Sequence, residues 1–513
     1  MSSVGSDAPL GSGPQVPAGS GEALAPDLLD THEAGPAALR GSVLRTGSYV
    51  LGILLSLISA RVLIIHLGIS DFGRYTAVLA LITIVSGFTE AGLNNIVMRE
   101  FATLSGDPRR QMMASAIGMR FVLTSVGVAL AVAFAAVAGY GSALVLGTAL
   151  AGFGLVLQLL QSTLSSTLQA QLRFGWVSAT EIVRQIVNVS LLVALALAGA
   201  GLVPLLAVTI PASAVSLGLT IPLVLGYTSL RPSFHLGRWW GLLRETIPWA
   251  VVAAVSVVYL RLAIVLMSLI SSARQTGYFA TSFRITEVLV GIPILLITAA
   301  FPILARAERQ DSARFSFASG RIFELALLAG TWLVLCLEVG AGFAIHVVAG
   351  GTSDPSIVVL RIQGLALIAS FVVVACGYPL LILRRYRQAL SANLLALAIS
   401  GILTLSLAPS LGARGAAIAA LLAEVGLALS QVVLLKRAAP DVRLPIATVA
   451  AIALAGGVAV AVGLALPVHP IVGAAVASVV YFAILKLLRR FPPEAGEILR
   501  GWIGGRRSPV GRI

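Results

Sequence analysis

The sequence predicts an all-α polytopic membrane protein of about 14 transmembrane helices, built as two six-helix lobes related by a pseudo-twofold axis along the membrane normal, with two further C-terminal helices. Three observations carry this expectation. The chain is 58% hydrophobic and only 11% charged, with a mean hydropathy of +0.98, far outside the range of soluble domains. Apolar stretches of about 20 residues or more, long enough to cross roughly 30 Å of hydrocarbon, alternate with brief polar connections. One stretch is also written twice, from Arg61 through Gly73 and Tyr75 to Arg99 and again from Arg261 through Gly277 and Phe279 to Arg306. Each copy is an apolar helix with one arginine in its outer half, a polar turn holding glycine, any residue and an aromatic, and a second apolar helix that closes on arginine.

Residues 1–40 are rich in Gly, Ala, Ser and Pro and lack the positive start and apolar core of a signal peptide. They are expected to form a disordered cytosolic tail. Six spans then build an N-terminal lobe over 41–226, at 43–67, 77–98, 115–138, 142–168, 181–200 and 203–226. A cytoplasmic linker over 227–246 carries Arg231, Pro232, His235, Arg238, Trp239 and Trp240, a basic and aromatic set suited to the membrane interface. The C-terminal lobe covers 247–435, with spans at 247–270, 279–305, 322–348, 357–383, 388–409 and 413–435. Helices at 446–466 and 470–489 fill most of 436–490, and a basic cytosolic tail follows over 491–513. Six helices separate Gly73 from Gly277, an even number, so both copies of the repeat enter the membrane in the same direction.

The formal net charge of +14 is explained by topology. Arg99, Arg109, Arg110 and Arg173 fall in connections on one side, as do Arg306, Arg309, Arg314, Arg321, Arg384, Arg385 and Arg387, whereas the opposite connections hold only Arg74, Arg274 and Arg414. That bias places both termini in the cytoplasm and removes any need for nucleic acid as a partner. Cys336 and Cys376 both lie in apolar runs and read as small buried hydrophobes, not as a disulfide or a metal pair.

Charges inside a bilayer are costly and usually face protein or a watery cavity. Arg61, Arg261, Arg284 and Arg361 gather in the outer half, where the positive-inside bias does not put them. An array of guanidiniums suits an anion, because arginine grips phosphate in a bidentate fork and keeps its charge at any relevant pH. The structural alternatives are that Arg284 pairs with Glu287 one turn on and that Arg361 snorkels outward. Glu90 and Glu287 read as partners in structural charge pairs. Glu338 and Glu424, near mid-membrane with no cation close in sequence, are the candidates for ion coupling. No catalytic constellation and no metal site is expected.

Ser59, Ala60, Arg61, Leu67, Gly68, Asp71, Phe72, Gly73 and Tyr75, followed by Glu90, Ala91, Gly92, Leu93 and Arg99, resemble the amino-terminal signature of polysaccharide biosynthesis flippases of the Wzx type. Gly277, Phe279, Ala280, Arg284 and Ile285 resemble that family's mid-chain signature, and Gly412, Gly415, Ala416 and Ala417 its twelfth-helix start. The family belongs to the multidrug, oligosaccharidyl-lipid and polysaccharide exporter superfamily, with lipid II flippases and multidrug and toxin extruders. The resemblance implies a central cavity, often cationic in the family, and alternating access that moves an undecaprenyl pyrophosphate-linked glycan from the inner to the outer leaflet. It carries Arg61 and Arg261 over as cavity residues. Relatives often hold an acidic residue early in the seventh helix, where this chain has Tyr259, Leu260 and Arg261, so the family's coupling-ion position is not carried over there.

The expected function is therefore a flippase for a lipid-linked oligosaccharide, not an enzyme, in the bacterial plasma membrane, serving cell-envelope polysaccharide synthesis. No cofactor is expected beyond H+ or Na+ as a coupling ion. Membrane lipids are expected partners, and a polysaccharide polymerase or glycosyltransferases are candidates. A cation-coupled multidrug or metabolite exporter of the same fold should carry an acid in its first helix, which here has Arg61 and none. A membrane glycosyltransferase or polymerase should need larger outer loops. A non-transporting scaffold would leave the intramembrane arginines dispensable.

Overall fold

The computed structural model describes residues 34–90, 92–226, 228, 230–442 and 446–490. Of the tails expected over 1–40 and 491–513, residues 1–33 and 491–513 lie outside the described residues, while 34–40 is not a free tail but the first turns of a helix. The described chain is helical throughout: α1 Ala34–Glu90, α2 Leu93–Thr103, α3 Gly106–Val137, α4 Ser142–Ala170, α5 Phe174–Leu197, α6 Leu202–Ala207 and α7 Thr209–Val224 in the first half. The second half holds α8 Leu236–Ile270, α9 Ala273–Gln310, α10 Ser312–Ala349, α11 Pro355–Ile382, α12 Tyr386–Leu411, α13 Ala413–Ala438, α14 Ile446–Ala465 and α15 Pro470–Leu487.

Among the described residues, twelve segments have the length and apolarity needed to cross a membrane. One of them, Leu51–Thr103, holds two crossings. Its 53 residues would rise about 80 Å as one rod, far more than a bilayer needs. The chain bends at Gly68, whose φ of 72° and ψ of 169° only glycine adopts readily. Ser56 before the bend accepts from Arg284, and Tyr75 after it lies close enough to the same guanidinium to interact electrostatically. With the 38-residue α9 counted as a further crossing, the described residues hold about fourteen, arranged as two lobes of six and the α14–α15 pair.

Several boundaries differ from the sequence reading for identifiable reasons. The second crossing is interrupted where Gly92 takes φ 81°, so α1 ends at Glu90 and α2 begins at Leu93. The sixth is split at Val208, because Pro211 has no N–H to offer the carbonyl of Ala207. The linker expected over 227–246 is shorter, since α8 already begins at Leu236. What remains of it is docked on α3: the Ser233 amide donates to the Ala114 carbonyl at 2.8 Å, and Gly118 leaves room for the Ser233 carbonyl. Trp239 is buried there and Trp240 exposed.

The lobes meet along α1, which packs on α8 and α9. At one end of the bundle, the end that the arginine bias is expected to place outside, the two glycines of the repeat touch. A Cβ on Gly73 would overlap the Ala273 carbonyl and come within 2.7 Å of the Gly277 amide nitrogen, and one on Gly277 would overlap the Ile69 carbonyl. A continuous apolar core, with Phe72, Tyr75, Met267 and Phe279, surrounds that contact. That end of the bundle is closed where the lobes meet. The α14–α15 pair packs on α10, where the Tyr481 hydroxyl donates to the Leu328 carbonyl at 3.0 Å. Cys336 and Cys376 are both free thiols.

Candidate functional site

Beneath that closed end, α8 and α9 run antiparallel from a two-residue turn, and their facing sides carry the charges. Arg284 and Glu287, three apart on α9, share a face. Glu287 accepts from Arg284 at 2.9 Å through one oxygen and from Arg261 of α8 through the other. Arg284 also donates to the Ser56 hydroxyl of α1 at 2.6 Å, so the cluster bridges the lobes. The Arg261 guanidinium lies 5.5 Å from the centre of the Phe283 ring, within cation–π range. Two guanidiniums and one carboxylate leave one positive charge in excess. The three side chains remain 21%, 36% and 28% exposed for Arg261, Arg284 and Glu287, so the charge is not sealed in the core.

The other two arginines stand apart from this cluster. Arg61 is exposed and donates to the Val347 carbonyl and, at 3.4 Å, to that of His346 in the last turn of α10. A cation at a helix C-terminus is favoured by the carbonyls that the helix leaves unpaired there. Arg361 on α11 faces Glu338 of α10 closely enough to interact electrostatically. Neither the Arg361 Nε nor one Glu338 oxygen has a hydrogen-bond partner among the described residues. Glu338 thus has a cation near it in space that was invisible in sequence.

Glu424 lies in a separate site in the C-terminal lobe, where Tyr259 of α8 donates to one carboxylate oxygen and Ser370 of α11 to the other at 2.7 Å. A small cavity of about 90 Å³ adjoins it, lined also by Gln363, Thr286 and Ser400. Both side-chain polar atoms of Gln363 are buried without a partner among the described residues. Glu90 is exposed at the end of α1 and accepts from Asn94 at 3.3 Å.

One buried cation escaped the sequence reading. Arg120 of α3 is 0% exposed and donates to Thr163 at 2.9 Å, to the Thr89 carbonyl at 2.5 Å and to Asn94 at 2.6 Å. It ties α1, α2 and α4 together at the Gly92 break, and takes up a carbonyl that the break sets free. Its sequence signal was a lone arginine inside an apolar run. The polar residues of α4 and α5, including Glu181 with its partners Arg184 at 2.5 Å and Gln185 at 2.8 Å, were likewise not singled out.

Comparison with known proteins places this geometry. Among solved structures the fold is similar to the lipid II flippase MurJ in an inward closed conformation, with a TM-score of 0.71 and 14% identity over 88% of this chain and 99% of that one. It is similar to an inward-facing multidrug resistance MATE family transporter of the MOP superfamily, with a TM-score of 0.62 and 11% identity over 78% of this chain and 98% of that one. A Vibrio cholerae MATE transporter matches with a TM-score of 0.53 and 14% identity over 80% of this chain and 99% of that one. At these identities the likeness is one of fold. No curated protein sequence matches. A family profile described as polysaccharide biosynthesis protein matches residues 38–308, more than half of the chain, including the whole first lobe, both glycines of the repeat and the Arg261–Glu287–Arg284 cluster. The chain is a multi-pass membrane protein that belongs to the polysaccharide biosynthesis protein family.

Proposed function

We propose that the protein is a flippase that carries an undecaprenyl (pyro)phosphate-linked oligosaccharide from the inner to the outer leaflet of the bacterial plasma membrane, with both termini cytoplasmic and no enzymatic step. The observation that carries this reading is the Arg261–Glu287–Arg284 cluster, an excess cation held between the lobes of a family member whose outer end is closed. A diphosphate offers several oxygens and two or more negative charges, and paired guanidiniums match it better than any neutral donor set. Ser56 brings the N-terminal lobe to the same point, so loading the cluster would act on both lobes. In this reading the units 41–226 and 247–435 rock about it, while Arg61 and Arg361 supply further positive potential from the rim. Coupling to H+ or Na+ would fall to Glu424 and Glu338. The membrane enzymes that build or polymerise the glycan are the natural partners.

Depletion of the protein, followed by extraction and a sidedness assay of lipid-linked glycans, tests this. Wild type should clear the lipid from the inner leaflet; Arg261→Gln and Arg284→Gln should leave it there with turnover reduced at least ten-fold, as loss of about 1.4 kcal/mol or more of charge-assisted contact implies. Clearance unaffected by depletion would sink the reading. The Glu424 site favours a second one, a cation-coupled exporter of the same fold, and drug sensitivity on depletion without glycan accumulation would support it.

A further inference from the structure

The first lobe contains a second polar site that the arginine cluster does not explain. On α4, Gln158, Gln161, Ser162, Ser165 and Gln169 follow one another at offsets of 3, 4, 7 and 11 residues, which puts them on one helical face. On α5, Phe174, Ser178, Glu181 and Gln185 repeat the same phase. The two stripes face each other across a cavity of about 340 Å³, closed on a third side by Glu90. That volume is at the lower end of the roughly 300–1,000 Å³ range of small-molecule sites.

Some of these groups are committed to the fold. Gln161 donates to Ser165 at 2.8 Å and to Thr220 at 3.2 Å, and Ser162 accepts from Asn94 at 2.8 Å. Others are not. The carboxamides of Gln158 and Gln169 make no hydrogen bond to the described residues, and Glu181, though held by Arg184 and Gln185, remains 39% exposed. Carboxamides within a membrane-spanning helix are costly unless water or a ligand pairs with them. Apolar residues would satisfy α4 and α5 as spans, so the stripes call for a polar occupant.

We propose that this cavity binds the sugar residues of the lipid-linked substrate, an inference that rests on the flippase reading. The described lining offers carboxamides, hydroxyls and carboxylates, with Glu181 already neutralised by Arg184, and no guanidinium turned to the cavity to grip a phosphate. Such groups pair well with the adjacent donors and acceptors of a saccharide, and the Phe174 ring offers an apolar face to a sugar's C–H bonds. Its position fits the same molecule. Gln185 packs against Gly52 of α1, and Ser56, the partner of Arg284, follows Gly52 by one turn, about 6 Å of rise. The diphosphate at the cluster and the first sugars in the cavity would thus share one wall.

The test uses the purified full chain in lipid nanodiscs and saturation-transfer NMR with glucose, galactose, N-acetylglucosamine and rhamnose, none of which carries phosphate. At least one should show transfer, and the double variant Gln158→Leu/Gln169→Leu should bind it about ten-fold more weakly, the effect of losing two neutral hydrogen bonds. The variant should melt with wild type, since neither amide holds the fold together. No transfer from any of the four, or equal transfer in wild type and variant, overturns the proposal. Glycan clearance in cells separates the two readings. Clearance intact in the double variant but lost in Arg261→Gln leaves the flippase standing and removes the saccharide site. Saccharide binding without any accumulation on depletion removes the flippase and leaves the site.

Discussion

Glu287 holds two guanidiniums in place and cancels half of the charge they would otherwise present. Bonded to Arg261 through one oxygen and to Arg284 through the other, it sets the spacing of both. Exposed ion pairs contribute about 0–1 kcal/mol, and breaking fully buried ones costs about 3–5 kcal/mol. The partial exposure of these three side chains puts Glu287→Gln between those limits, at on the order of 2 kcal/mol of lost stability. The same variant raises the cluster from one excess positive charge to two. Thermal unfolding in detergent should therefore show a lower midpoint, while inorganic diphosphate should bind more tightly by isothermal calorimetry. A variant that melts like wild type and binds diphosphate no better would mean that the carboxylate neither positions nor shields the pair.

Between α1 and α2, the break at Gly92 depends on a residue from another helix. Arg120 spans acceptors on three elements, Thr89 of α1, Asn94 of α2 and Thr163 of α4, at one buried point. The ammonium of lysine cannot reach all three in the planar geometry of a guanidinium. Arg120→Lys and Arg120→Leu should both lower the melting midpoint, and the leucine variant should cost on the order of 3 kcal/mol by stranding the Thr89 carbonyl and the Asn94 amide. Thr163→Val, which takes one acceptor from the buried guanidinium, should cost about 2 kcal/mol. Equal stability of all three would make the break a property of Gly92 alone. This element also marks the limit of what the residues disclosed in advance. The spans and the doubled motif were legible because hydrophobicity and glycine spacing are local signals. The pairing of Arg261 with Glu287 was not, because the two lie on different helices, and Arg284 alone stood one turn from a carboxylate. The polar stripes of α4 and α5 were written in the sequence at helical period, yet each glutamine taken singly is tolerable in a span. Only the facing of the two helices shows that they form a cavity.

For the whole molecule, the repeat has a mechanical reading. Gly73 and Gly277 are the corresponding glycines of the two lobes, and they touch each other at the closed end of the bundle, outward in the proposed topology, each admitting backbone of the other lobe where a side chain would collide. The closed outer end thus depends on two hydrogen atoms standing where methyl groups would be. Gly277→Ala puts a Cβ into the Ile69 carbonyl, and neither partner is the flexible end of a side chain, so the lobes must part at that end. A single cysteine introduced by Ala280→Cys, a site 2% exposed in the closed form, reports on this in a background carrying Cys336→Ala and Cys376→Ala. A membrane-impermeant maleimide added from the outer side should label it several-fold faster in the Gly277→Ala protein than in its glycine parent. Gly73→Ala should act in the same direction, because its Cβ meets the Ala273 carbonyl and the Gly277 backbone across the same contact. If both variants label at the parent's rate, the outer closure is held by the surrounding apolar core and not by the glycine contact. If both label faster and glycan clearance falls with them, outer closure is a required stage of the transport cycle, since a carrier that cannot seal one end cannot reload from the other.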